Sequence, residues 1–220
     1  MAGALPRVRS HPAGSQEVSD PTPPAAPVPR EIRTPRLLLR PWHPDDAAAL
    51  GPVLTSNRAH LSPWIPLRVW EPAAVPALAE RLAGFAAEFE ATREWRYAIF
   101  ALDDGRVMGE VALFPRASSG RVALALADRC EIGYWLREDA TGGGLATESA
   151  RAMLSLAESI PSFEHVEIRC DARNVASVAI PTRLGFTLAY TANDAGTGAV
   201  EQVTLQVWTH RLSHGDGMRG

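Results

Sequence analysis

Three consecutive glycines, Gly142-Gly143-Gly144, separate a β-rich run from an amphipathic stretch, and no other segment of the chain restricts the fold as much. Before them, Cys130-Glu131-Ile132-Gly133-Tyr134-Trp135-Leu136 reads as a strand. After them, Ala146, Ala150, Met153, Leu154 and Ala157 fall at the spacing of one helical face, which predicts a helix ending near Ser159. Phe163 to Cys170 reads as a second strand. A strand–loop–helix–strand unit of this length implies parallel pairing with a right-handed connection. Glycines let the backbone approach a ligand closely, and a helix start offers unpaired N–H groups at the positive end of its dipole, which together make a seat for a pyrophosphate. Taken alone, the cluster fits a plain flexible turn equally well. It matches neither GxGxxG nor a loop ending in Gly-Lys-Ser/Thr, which argues against dinucleotides and nucleoside triphosphates.

The flanking sequence completes an α/β pattern. Arg36-Leu37-Leu38-Leu39-Arg40 reads as a first strand, and His43-Pro44-Asp45-Asp46 opens a helix with proline and acidic residues in its first turn. Leu78, Leu82, Phe85 and Phe89 recur at helical spacing, predicting a helix from about Ala73 to Thr92 with a core-facing stripe. Trp95 to Ala101 and Val107 to Phe114 flank Asp103-Asp104-Gly105 and read as an antiparallel hairpin. A helix over about Val175 to Leu184 is stopped by Gly185. Strands over about Phe186 to Thr191 and Val200 to His210 then flank a turn at Asn193-Asp194-Ala195-Gly196. The expected class is α/β with a mixed sheet.

Residues 1–30 hold seven of the 18 prolines, interleaved with Ala, Ser and Gly, and read as a disordered extension. The remainder of the 220 residues suits one domain, 31–212, followed by a short flexible tail, 213–220. A formal charge of −3 argues against a nucleic-acid partner. All 22 basic residues are arginine, which is read as coding bias rather than function. Cys130 and Cys170 have neither a CxxC spacing nor accompanying His pairs, so a metal site is not expected and both read as buried thiols. No apolar run approaches the roughly 20 residues that span a bilayer, and no secretory h-region stands at the N-terminus. A cytoplasmic protein without a membrane partner is the expectation.

The order and spacing of Glu131-Ile132-Gly133-Tyr134-Trp135-Leu136, the loop Thr141 to Ala146, Asn174, Ser177 and Leu184-Gly185-Phe186 resemble a GNAT N-acetyltransferase of the RimJ/RimL-like branch. Arg33 to Arg40 is similar to that branch's opening strand, and His60-Leu61-Ser62-Pro63-Trp64-Ile65-Pro66 to a loop beside its acceptor site. The resemblance spans about Glu31 to Arg211. It implies a GNAT fold, a mixed, mostly antiparallel sheet flanked by helices with a central splayed parallel pair. It also implies acetyl-CoA as cofactor and direct acetyl transfer to an amine.

By that resemblance, Thr141, Gly142, Gly143, Gly144, Leu145 and Ala146 grip the pyrophosphate, and Tyr134, Trp135, Leu136, Asn174 and Ser177 line the cofactor arm. Asn174 also reads as a plain helix cap. Thr141 stands where the family has Gln or Arg, and Pro181 where many members have a tyrosine acid, which leaves Ser177 as the candidate proton donor or a local helix-end hydrogen bonder. Glu131 is the candidate base, through water, and a backbone N–H between Tyr134 and Leu136 the candidate oxyanion donor. His60, Trp64, Trp70 and Glu131 are the candidate acceptor wall, although tryptophan more often packs. The acceptor is a protein or peptide N-terminus or a small amine. An aminoglycoside-modifying enzyme, suited by an acidic cleft, is the alternative, and a non-catalytic acyl-CoA-binding module stands further off. Members of the family are often dimers, so a homodimer is a further expectation.

Overall fold

The computed structural model describes residues 28–195 and 202–213. Most of the expected extension and tail, and the glycine of the Asn193–Gly196 turn, lie outside the described residues. Nine strands form one sheet in the order β1-β2-β3-β4-β6-β7-β9-β8, with β5 on the end of β4. They are β1 (Ile32–Arg33), β2 (Leu37–Pro41), β3 (Trp95–Ala101), β4 (Val107–Ala117), β5 (Gly120–Arg121), β6 (Arg129–Leu136), β7 (His165–Asp171), β8 (Thr187–Ala195) and β9 (Gln202–Arg211). All pairings are antiparallel except β6–β7. The helices are α1 (Ala47–Ser56), α2 (Arg58–Leu61), α3 (Leu67–Trp70), α4 (Val75–Glu90), α5 (Leu145–Glu158) and α6 (Val175–Arg183). None of the described helices is long and apolar enough to cross a membrane.

Helices cover both faces because the strands are apolar on both. On one face Ala150, Met153 and Leu156 of α5 pack on Val111, Leu113 and Ile132. On the other, Leu50 and Leu54 of α1 and Leu78 and Leu82 of α4 pack with Phe100 and Trp135. Leu78 and Leu82 are fully buried, each contributing about 2 kcal/mol. The turn ahead of α1 is fixed as its sequence suggests. Asp46 accepts the His43 backbone N–H at 2.8 Å and both forks of Arg40 at 2.8 and 2.6 Å, while His43 Nδ1 accepts the Asp45 N–H.

The centre of the sheet opens between β6 and β7. The parallel β6–β7 ladder covers only Arg129↔His165, Cys130↔Val166 and Glu131↔Glu167. Beyond it β6 stays on β4 to Leu136, and β7 stays on β9 to Asp171. In addition, the β3–β4 register shifts at Ile99/Phe100, beside Gly109 (φ +157°). A Cβ there would lie 2.0 Å from the Trp135 carbonyl oxygen, so only glycine lets β4 approach β6 so closely at this bulge.

The structure departs from the sequence reading in detail. Asn193, Asp194 and Ala195 continue β8 rather than forming a turn, because each pairs with β9. The segment around His60 begins as α2, and β1, β5 and α3 lacked any periodic signal. The strand expected from Phe163 begins at His165, while Phe163 is itself buried in the core.

Candidate active site

The gap between β6 and β7 is the mouth of a cleft of about 1340 Å³ that runs between α5 and α6 and continues past β4 to α2 and α3. Backbone direction follows from the ladder. Arg137 N–H bonds Met108 C=O at 2.9 Å and Glu164 N–H bonds Asp128 C=O at 2.7 Å, so alternation turns the backbone groups of Tyr134 and Leu136 away from β4, toward β7. With the ladder ended at Glu131, those groups have no strand partner among the described residues.

At the cofactor end, Gly142 and Gly144 adopt φ of +77° and +81°, which side chains disfavour, and open space lies where a Cβ would stand at Gly142 and Gly143. Gly144 caps α5 without a side-chain hydrogen bond, and the first helical bond runs from Glu148 N–H to Gly144 C=O. The amides of Leu145, Ala146 and Thr147 precede that bond and make a donor cradle suited to a phosphate. The hydroxyl of Thr141 donates to Glu138 C=O at 2.7 Å, so it is spent locally. Gly143 does not line the cleft; its carbonyl accepts Arg36 Nη1 at 2.8 Å. Arg36 also binds Glu148, through Nε at 2.7 Å, and lines the cleft. Burial opposes ionisation of Glu148, yet the Thr34 hydroxyl and Arg36 hold its carboxyl below its ordinary value.

Leu145, Ala146, Asn174, Ser177, Tyr134, Trp135 and Leu136 all line the same cleft. Asn174 Oδ1 caps α6 by accepting Ser177 N–H at 3.1 Å, the structural reading of that residue. Tyr134 Oη lies 3.1 Å from both Ser177 O and Ser177 Oγ. Burial pushes the phenol well above its ordinary value, so this hydroxyl pair stays protonated. Burial raises the Cys170 thiol to about 11 against the pull of Ser177. Pro181 is buried within α6.

At the other end, His60, Trp64 and Glu131 line the cleft. Trp70 does not. It packs in the core of α1 and α4, because Val69 and Trp70 are the inward residues of α3 while Leu67 faces out. Glu131 Oε2 receives Arg116 Nη1 at 2.6 Å. Neighbouring carboxylates are held likewise: Glu110 accepts Trp42 Nε1 and Arg96 Nη1, both at 2.7 Å, and Glu94 accepts Arg96 Nε at 2.5 Å. Burial disfavours the Arg96 charge, yet Glu110 and Glu94 outweigh it and raise the group above its ordinary value. Arg36, Arg116, Arg121 and Glu110 were not read as site residues from sequence, since their partners lie on other elements. Among the described residues, no cluster of His, Cys, Asp or Glu could hold a metal.

The splayed parallel pair, the uncapped glycine loop and the helix beyond it define a class of acyltransferase fold. A profile of the acetyltransferase (GNAT) domain family matches residues 36–187, and the chain belongs to that family. It is 25% identical over 150 residues, 68% of this chain and 80% of the relative, to the Bacillus subtilis (strain 168) protein named probable N-acetyltransferase YjcK. Its fold is similar to that of RimL, a ribosomal L7/L12 alpha-N-protein acetyltransferase solved with coenzyme A (TM-score 0.71, 19% identity, 86% of this chain and 99% of that one). It is also similar to Mycobacterium smegmatis RimJ solved with a CoA-disulfide (TM-score 0.68, 23% identity, 80% and 81%).

Proposed function

We propose that the chain is an acetyl-CoA-dependent N-acetyltransferase acting on a primary amine, at a protein or peptide N-terminus or on a small molecule. The observation that carries this is the early end of the β6–β7 ladder beside the uncapped, glycine-built start of α5. Donors for a pyrophosphate and an unpaired strand edge for an amide-bearing arm then share one cleft. Loop residues Gly142, Gly144, Leu145 and Ala146 hold the phosphates, and Arg36, fixed on the Gly143 carbonyl, supplies the cation that Thr141 does not. Tyr134 and Leu136 offer the backbone edge.

When bound, acetyl-CoA supplies an acetyl thioester open to attack by a neutral amine. Glu131 is the proposed base, acting through water from the oxygen that Arg116 leaves less engaged. A gap-facing N–H, that of Tyr134 or Leu136, stabilises negative charge on the carbonyl oxygen. The Ser177 hydroxyl, oriented by Tyr134, is the proposed proton donor in place of the tyrosine that Pro181 replaces. The proposed domain is 31–212, with Val28 and Pro29 packed onto it, and the proposed setting is the cytoplasm, with a homodimer as the proposed assembly. The aminoglycoside alternative loses ground because nine arginines and four carboxylates line the cleft, an environment that repels a polycation.

The test is thiol release from acetyl-CoA in the presence of N-terminal peptides, polyamines and aminoglycosides. The reading expects turnover with a peptide or small amine. A folded protein that binds CoA but consumes acetyl-CoA with no amine would instead be a binding module.

A further inference from the structure

The acceptor end of the cleft holds a cation whose hydrogen-bonding capacity the fold leaves unspent. Arg121 lies in β5, opposite Arg116 on the end of β4, and lines the cleft. Its guanidinium sits 3.6 Å from the centroid of the Phe114 ring. That ring is itself fixed over Gly133 of β6, with Phe114 Cε2 3.0 Å from where a Cβ would be. Stacking sets the plane of the guanidinium and leaves its N–H groups pointing outward in that plane.

The nearest carboxylates do not engage them. Glu94 Oε2 is 3.6 Å away and Glu131 Oε1 is 4.0 Å away, both beyond hydrogen-bond reach. Each already serves another arginine, Glu94 taking Arg96 and Glu131 taking Arg116. Burial, together with Arg96 and Arg68, pulls the Arg121 guanidinium below its ordinary value despite Glu131 and Glu94. Arg68 lines the same end of the cleft, and Glu88, the carboxylate that feels its charge, is hydrogen-bonded by Arg93 instead. This end of the cleft is therefore short of negative charge, and a forked donor with a fixed plane suits a carboxylate or phosphate.

We infer that Arg121 sets acceptor specificity by taking the anionic group of the acceptor, a carboxylate or phosphate a few bonds from the nucleophilic nitrogen. The short spacing follows from the 4.0 Å between Arg121 Nη2 and Glu131 Oε1, since with the nitrogen held at Glu131 through one water only an anion a few bonds away from it meets Arg121. The inference rests on the N-acetyltransferase reading for the position of the amine.

Two matched pairs of amines test it at fixed ionic strength, by calorimetric titration into CoA-loaded protein and by thiol release from acetyl-CoA. The carboxylate pair is the dipeptide amides Ser-Asp and Ser-Asn; the phosphate pair is glucosamine 6-phosphate and glucosamine. The anionic member of at least one pair should bind about ten-fold more tightly or better, and which pair responds identifies the anion. Arg121→Gln should collapse that ratio to within about two-fold, and Arg121→Lys, which keeps charge but not the fork, should restore part of it. CoA binding by each variant reports that it is folded. Equal behaviour within both pairs, absence of binding included, overturns the inference, as does a ratio that survives Arg121→Gln. An anion preference without thioester consumption would leave the binding role of Arg121 standing and remove the catalytic reading instead.

Discussion

Arg36 and Glu148, 112 residues apart in sequence, join the edge of β2 to the first turn of α5. Arg36 Nε meets Glu148 Oε2 at 2.7 Å, and Nη1 of the same guanidinium meets Gly143 C=O at 2.8 Å. One side chain thus holds both the glycine loop and the helix it feeds. Its own side chain is half exposed, so the ion pair itself adds at most about 1 kcal/mol to stability. Its greater effect is on binding. Arg36→Gln should weaken CoA binding about ten-fold or more by calorimetry with little change in melting temperature. Unaltered affinity would mean that the loop amides hold the phosphates without it.

Glu148 ties the same contact to pH. Its carboxyl is held below its ordinary value of 4.5 in the folded chain, so the ionised form stabilises the fold above that pH. The contribution is lost as pH falls through the depressed value. Denaturant titration should therefore find Glu148→Gln less stable than the parent by about 1 kcal/mol near neutrality, with the difference vanishing in strong acid. A gap that persists or grows in acid would contradict this sign.

Gly144 sits at φ +81°, and a Cβ there would stand 3.6 Å from Arg36 Nη2. A β-branched residue both strains the backbone, by about 1–3 kcal/mol, and fills the approach to the amides behind it. Gly144→Val should abolish CoA binding while circular dichroism stays close to that of the parent. A folded variant with normal affinity would remove this loop from the cofactor site.

The N-terminal boundary is sharper in the structure than in the sequence. Val28 packs against the core, and Pro29 C=O accepts the buried Tyr97 hydroxyl at 2.6 Å. A chain starting at Val28 should keep full stability and transfer activity. One starting at Glu31 leaves that phenol without its partner and should lose about 1–2 kcal/mol in chemical denaturation. Loss of acetyl transfer in the folded Val28 chain would place residues 1–27 within the site.

The periodic elements were legible because their signals are local. Leu78 and Leu82, the Asp103–Gly105 turn and the glycine loop each declare themselves within one or two turns of chain. Three kinds of feature were not. Asn193 and Asp194 have turn chemistry, yet pairing with Val203 and Thr204 in β9 keeps them in strand. Trp70 could face either way on a helix of four residues, and tertiary packing turned it inward. The arginine partners of Glu131 come from β4 and β5, and no local spacing links Arg116 or Arg121 to a carboxylate on β6.

Those partners shape the expectation for Glu131. Its side chain is mostly buried, Oε2 is held by Arg116 at 2.6 Å, and Oε1 faces Arg121 at 4.0 Å. Oε1 is the oxygen left to hold a water that takes the amine proton. A base contributes about 10²- to 10⁴-fold, so Glu131→Gln should lower kcat by that order. The amide keeps the shape but weakens the contact with Arg116, so a fall of about 1–3 kcal/mol in stability should accompany it. CoA affinity should hardly change, since the loop amides lie at the other end of the cleft. Raising the pH should partly rescue kcat/KM, because more of the free amine is then already neutral. Arg116→Gln separates the two roles: it breaks the same ion pair while leaving the carboxylate, so it should reproduce the loss of stability without the pH-dependent rescue. If Glu131→Gln kept near-normal kcat at neutral pH, or if both variants lost activity in parallel at every pH, Glu131 would be a structural carboxylate and the amine would lose its proton elsewhere.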